Sequence, residues 1–263
     1  MGLRHWALGV SYNGARYHGW QRQQDTLETV QGQLEAALSK IADEPTTTTA
    51  AGRTDAGVHA TAQVAGFAST ADRDKETWLR GLNGLTDDDL SINWVSEVDE
   101  KFHARYAASS RRYHYVFHDR GRFADPHMTQ RVWHCGELDA DAMHREAQAL
   151  LGEHDFSSFR AAGCQSSTAQ RQVNACSVRR SGEFVVMHVE ANAFLLHMVR
   201  NIASALHNIG RGQATRTLSE LLALKDRTAL GVTAPSDGLY LTGVGYPEYS
   251  FPEGRLPAFL NSP

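Results

Sequence analysis

The sequence predicts an α+β fold built from two ferredoxin-like units. Two observations predict the units and a third sets the class. Hydrophobic periods in the first half follow the order β-α-β-β-α-β, the split βαβ arrangement. The same order returns in the second half with longer loops. Across 263 residues, 41% are hydrophobic and 21% charged, and no run of about 18 apolar residues occurs, so the chain reads as a globular protein with no membrane span.

Each element follows from local pattern. Trp6 to Tyr12 alternates as a strand, with Trp6, Leu8 and Val10 on one side. Val30, Leu34, Leu38 and Ile41 fall at helical spacing within Thr29 to Ala42. Thr46 to Ala51 and Gln63 to Ala68 read as strands, Asp74 to Leu85 as a helix and Ser91 to Val98 as a strand. In the second half, Arg111 to His118 alternates Tyr113, Tyr115 and Phe117 against polar partners. Asp139 to Leu151 is a helix opened by Asp139 as N-cap. Val173 to Arg180 and Glu183 to Glu190 form a hairpin about Ser181-Gly182. Phe194 to Ile209 is a long helix with Gly210 as its C′ residue, and Leu218 to Lys225 a further helix before the strand Gly238 to Gly245. These elements predict a domain over 1–104, a second over 105–247, one mostly antiparallel sheet shared between them, and an extended tail over 248–263.

Composition narrows the function classes. Cys135, Cys164 and Cys176 are an odd, sparse set without metal-type spacing, which predicts a reducing, cytoplasmic setting. The 13 histidines are dispersed, and no H-E-x-x-H, G-x-x-x-x-G-K-[ST] or G-x-S-x-G run occurs, so neither a metal nor a cofactor is expected. Net charge is −4, from 26 Lys and Arg against 30 Asp and Glu. The basic residues are nevertheless clustered. No acid interrupts Phe156 to Gly182, which carries Arg160, Arg171, Arg179 and Arg180. Lys101, Arg105, Arg111, Arg112, Arg120 and Arg122 face a single acid, Asp119. An acidic protein with one basic face can attract a nucleic acid, and an ordinary solvated surface fits the same count.

Asp55 is the candidate catalytic group. It stands in Gly52-Arg53-Thr54-Asp55-Ala56-Gly57-Val58-His59-Ala60, a loop of small residues in which Gly52 and Gly57 allow unusual backbone conformations. A carboxylate on a tight loop between strands suits catalysis, and it suits an Asx-turn equally well. Arg200 sits roughly 140° around its helix from the first residue of the apolar stripe. From there it can pair with a carboxylate or point to solvent. Tyr113 fits base stacking beside guanidiniums, or simply the core-facing side of its strand. Gly163, Cys164, Gln165, Ser166 and Ser167 offer small hydrogen-bonding groups to a nucleic-acid backbone, or form a plain loop. One well-placed Asp with arginines and aromatics fits covalent or acid-base work on a nucleotide lifted from its stack. A non-catalytic RNA-binding protein and a glycoside hydrolase are the rivals, and the latter usually needs a second carboxylate.

The Arg53-Thr54-Asp55 loop resembles the signature of the tRNA pseudouridine synthase A (TruA) family. So do Asn13-Gly14 through Gln23, Phe102-His103-Ala104-Arg105, Arg111-Arg112-Tyr113, Asp155 to Arg160, Ala191 to Phe194 with His197 to Asn201, Leu224 to Arg227 and Gly238 to Leu241, in family order along nearly the whole chain. The resemblance implies a pseudouridine synthase fold of two RRM-like units around a central cleft, with helices on one side of the sheet. It implies an isomerase converting uridine to pseudouridine at positions 38 to 40 of the tRNA anticodon arm, working as a homodimer without cofactor or metal. It assigns catalysis to Asp55, nucleotide flipping to Arg53, packing on the flipped base to Tyr113 and pairing with the aspartate to Arg200. Phe102, His103, Ala104, Arg105 and Tyr106, with Gly163 to Ser167, match segments that touch tRNA.

Overall fold

The opening alternation becomes strand β1 (Arg4–Tyr12), in which Trp6, Leu8 and Val10 are buried. The computed structural model describes residues 2–23, 27–119 and 125–257. Arg120, Arg122 and the end of the tail lie outside the described residues. After β1 come helix α1 (Val30–Ala42), β2 (Thr49–Ala50), β3 (His59–Ser69), α2 (Lys75–Leu85) and β4 (Leu90–Val98). Next are β5 (Ser110–His118), β6 (Trp133–His134), α3 (Ala140–Ala147), β7 (Gly152–Asp155), β8 (Gln170–Ser181) and β9 (Phe184–Ala191). Helices α4 (Met198–Gly210) and α5 (Leu218–Leu224) precede β10 (Leu239–Gly245). Among the described residues no helix is long and apolar enough to cross a membrane.

The chain divides into two compact units, Met1–Ser109 with Leu241–Pro257, and Ser110–Tyr240. The division falls a few residues after the expected boundary, where the chain enters β5. The segment after β10, expected as an extended tail, holds no helix or strand over 246–257 and goes with the first unit. The cause is aromatic: Tyr246, Tyr249 and Phe251 pack on Phe102, with ring centroids 5.5, 4.9 and 5.7 Å away.

In the first unit the strand order is β4-β1-β3, with β2 paired to β3, and every pair is antiparallel. This is the ferredoxin-like order. The side chains of Trp6 and Phe67 meet Trp78 of α2 at 6.4 and 5.0 Å between centroids. Helices α1 and α2 approach closely, since a Cβ at Gly81 would lie 2.9 Å from Ile41 Cδ1. Their starts are capped by Thr29, which accepts from Gly32 N, and Asp74, which accepts from Thr77 N. The opposite face of the sheet is closed by Trp94 lying over Gly9, where a Cβ would be about 2.1 Å from the indole nitrogen.

In the second unit β5, β9, β8 and β7 are joined by antiparallel ladders, and β6 runs parallel to β5. Tyr115, Phe117, Met187 and Val189 are wholly buried, as are Met143 of α3 and Ile202 and Leu206 of α4. Two expectations fail here. Helix α4 begins at Met198, not Phe194, because His197 takes a left-handed conformation (φ 58°). Gly210 is the last helical residue and not C′; a Cβ there would meet Met143 Sδ at 2.6 Å, and Gly212 (φ +65°) supplies the turn. Helix α3 ends at Ala147 and continues as a 3-10 turn over Gln148–Leu150.

Candidate active site

The Asp55 loop runs from Ala51 to Val58 between the short β2 and the long β3. Its shape is set by a turn within the loop and by hydrogen bonds to residues outside it. Val58 N donates to the main-chain carbonyl of Asp55 at 3.2 Å, closing a turn in which Gly57 adopts φ +78°. A positive φ at the third position of such a turn favours glycine. On one side, Trp20 N donates to Thr54 O at 3.0 Å and Gly57 N to Tyr17 O at 3.3 Å. On the other, the side chain of Gln63 spans Gly52: its Nε2 donates to the Gly52 carbonyl at 2.6 Å, and its Oε1 accepts from Gly52 N at 3.4 Å and Val64 N at 3.2 Å.

Thr54, next to Asp55, is held from β1. Its hydroxyl lies 2.8 Å from that of Tyr12. Burial pushes the Tyr12 hydroxyl up to about 12, against the opposing effect of its hydrogen bonds with Thr54 and Gln63. The phenol therefore stays neutral across the physiological range. His59 is buried and accepts from Gly14 N at Nδ1 (3.0 Å). Gly14 and Gly19 let this strap pass close: a Cβ at Gly14 would lie about 2.0 Å from Val58 O, and one at Gly19 (φ +92°) 2.8 Å from Thr54 O. Within this clamp Asp55 is half-buried and Arg53 is exposed. Sequence pattern missed Gln63, Tyr12 and His59. The available signal was Gln63, the one polar residue of the expected strand Gln63 to Ala68.

Phe102, His103, Ala104, Arg105 and Tyr106 form a turn in the same unit. Ala107 N donates to His103 O at 2.9 Å, and His103 Nδ1 accepts from Arg105 N and Tyr106 N, each at 3.2 Å. The turn buries Ala104 and presents Arg105 and Tyr106, the latter 77% exposed. The His103 ring lies 4.3 Å from that of Tyr106 and the Arg105 guanidinium 5.8 Å from it.

The second unit holds the remaining candidates. Tyr113, on β5 opposite Val189, is 8% exposed and meets Phe194 edge-on at 5.1 Å and 88°. Arg200, in the first turn of α4, is half-buried, and its Nε donates to Ala234 O at 2.8 Å. Cys164 and Ser166 offer their carbonyls to Arg160 Nη2 at 2.9 and 2.6 Å, while Gly163 (φ +79°), Gln165 and Ser167 are exposed. Burial raises the Cys164 thiol, but the N–H groups of Leu196 and Ser166 and the Arg160 guanidinium outweigh it and hold the thiol below its usual value.

The basic strip expected from the sequence is partly absorbed by the fold. Arg111 is buried and donates to Asn192 O, Arg112 pairs with Glu190 at 3.0 Å, and Arg180 pairs with Asp119 at 2.6 Å. Arg171 caps Ser166 Oγ. Lys101, Arg105 and Arg179 remain exposed. No group of three or more His, Cys, Asp or Glu able to hold a metal occurs among the described residues.

The sequence that builds this Arg-Thr-Asp loop and both units has close relatives among known proteins. The tRNA pseudouridine synthase family model matches residues 9–107 and 147–247, and the chain belongs to that family of isomerases. At finer grain it resembles one branch. It is 51% identical to the tRNA pseudouridine synthase A of Yersinia pseudotuberculosis serotype O:1b (strain IP 31758), with 97% of each chain covered. It is 50% identical to the enzyme of the same name from Shewanella sp. (strain MR-4), covering 97% of this chain and 98% of that one. For Pseudoalteromonas atlantica (strain T6c / ATCC BAA-1087) the figures are 48%, 97% and 97%.

Proposed function

We propose that this protein isomerises uridine to pseudouridine in tRNA, at positions 38 to 40 of the anticodon arm, with Asp55 as the catalytic carboxylate. The observation that carries the reading is the half-buried Asp55 on a loop gripped at Gly52, Thr54 and Gly57 by residues of β1, β3 and the Tyr17–Trp20 strap. Such a grip keeps a reacting group in place while a nucleotide turns against it.

The chemistry balances without an oxidant or a group donor. The bond from C1′ to N1 breaks, the uracil rotates, and a bond from C1′ to C5 forms. N1 gains a proton as C5 loses one. The base must leave its stack for this to happen. Arg53, exposed beside Asp55, takes the role of filling the vacated space. Tyr113 is assigned to retain the detached uracil and Arg200 to act as the supporting cation. Phe102 to Tyr106 and Gly163 to Ser167 are assigned to the tRNA, with exposed Lys101, Arg105 and Arg179 contacting phosphates. A homodimer in the cytoplasm completes the reading.

The test uses tRNA transcripts carrying uridine at only one of positions 38, 39 or 40, with pseudouridine mapped after incubation with the purified protein. Product at these positions and at none elsewhere is expected. Product confined to another arm would overturn the positional assignment, and free uracil would favour a hydrolase. tRNA affinity is expected to fall linearly with salt on logarithmic axes.

A further inference from the structure

The segment after β10 carries three aromatic residues that no catalytic role uses, and all three converge on one turn. Tyr246 Oη donates to the carbonyl of Ala104 at 2.6 Å. Tyr249 Oη reaches both carboxylate oxygens of Asp99 at 3.0 Å, and Asp99 in turn accepts from Lys101 N at its side chain and Phe102 N at its main chain. Phe251 stacks on Trp94 at 4.7 Å and 16°, and closes the ring of contacts around Phe102. Beneath Phe102 the sheet is cut away at Gly66, where a Cβ would come within 3.2 Å of the Phe102 ring. The start of the segment is tied down as well, since Ser109 N donates to Gly245 O at 2.8 Å.

The inward side of the turn, Phe102 and Ala104, is thus fixed by the C-terminal segment. The outward side carries Arg105, Tyr106 and His103, three of the five residues of this turn assigned above to tRNA. We infer that Tyr246 is a positioning residue for tRNA binding: by holding the Ala104 carbonyl it sets the direction in which Arg105 and Tyr106 face the RNA. The inference rests on the proposed tRNA role of that turn. A hydrogen bond to the main chain of residue 104 constrains the neighbouring peptide plane, so its loss lets the two outward side chains sample wrong directions before binding.

The experiment compares wild type, Tyr246→Phe, an Arg105→Ala/Tyr106→Ala pair and the combination of all three, with kcat, KM for tRNA and thermal midpoint measured for each. Tyr246→Phe keeps the ring contacts and removes one hydroxyl. It is expected to raise KM about fivefold, the scale of one hydrogen bond, with kcat unchanged. In the Arg105→Ala/Tyr106→Ala background the same change is expected to leave KM where it is, because the side chains it orients are gone. Tyr249→Phe is expected to repeat the pattern more weakly. An unchanged KM in Tyr246→Phe, or an equal rise in both backgrounds, overturns the inference. If Arg105→Ala/Tyr106→Ala itself binds tRNA normally, the tRNA role of the turn falls and takes the inference with it. A KM effect in that pair with none in Tyr246→Phe defeats the positioning role alone.

Discussion

The hydroxyl of Tyr12 lies 2.8 Å from the hydroxyl of Thr54, joining the central strand of the first unit to the residue before Asp55. Both groups are buried. The link fixes the loop from below while leaving Asp55 half-exposed above. Replacing Thr54 by Val keeps the volume and removes the contact. It is expected to lower kcat about tenfold, equivalent to roughly 1.4 kcal/mol of transition-state stabilisation, with KM for tRNA little changed. Steady-state kinetics check this, and an equal change in KM alone would contradict it.

Gln63 holds the other end of the loop. It is 0% exposed and saturates both main-chain groups of Gly52. In Gln63→Leu those half-buried groups lose their partner, at up to about 1 kcal/mol each. Urea unfolding should shift to lower midpoints, and kcat should fall with it. A variant as stable and active as wild type would show that the loop does not depend on the clamp.

Glycines separate into those that the loop needs and those that it does not. Gly19 has φ +92°, and a Cβ there would lie 2.8 Å from Thr54 O. Gly19→Ala is expected to destabilise by roughly 1–2 kcal/mol and to reduce turnover by displacing Thr54. Gly84 lies within α2, where an added Cβ would meet nothing inside 4 Å among the described residues. Gly84→Ala is expected to stabilise by roughly 0.5–1 kcal/mol with activity intact. Thermal midpoints of the two variants should move in opposite directions.

How far each feature was legible depended on where its determinants lie. Helix α2 was visible because a capping Asp74 and the apolar positions Trp78 and Leu82 are all local. The Arg53-Thr54-Asp55 loop was legible as a motif. The start of α4 was not, because residues 194–197 are bent by tertiary bonds: Leu196 N donates to Cys164 Sγ, and Ala161 N to Leu196 O. Gln63 was missed for a similar reason. A lone polar residue in a strand reads as solvent-facing, and its partner Gly52 stands eleven positions away. The extended course of the tail was legible because its prolines are local, whereas the packing of Tyr246, Tyr249 and Phe251 on Phe102 was not.

Acid should weaken the second unit through a histidine pair. His114 and His188 face each other across β5 and β9, with ring centroids 5.0 Å apart. Burial first, then His188, Arg112 and Arg179, push His114 down to about 3, and burial and Arg112 lower His188 despite Glu190. The His114 ring therefore stays neutral in the folded protein until pH falls to about 3, and His188 takes up a proton less readily than a free imidazole. Between the ordinary histidine value near 6.5 and about 3 the unfolded chain binds protons that the folded chain refuses, so stability falls as pH falls through this window. Above it these groups contribute no slope. Urea midpoints recorded against pH should show the decline, and His114→Gln should flatten it.

The carboxylate of Asp55 is tested most directly by single-turnover pseudouridine formation on a tRNA transcript, comparing wild type with Asp55→Asn at matched thermal midpoint and tRNA affinity. A rate loss of at least about 100-fold is expected for removal of the reacting group. Pseudouridine appearing at the wild-type rate in Asp55→Asn would contradict the assignment.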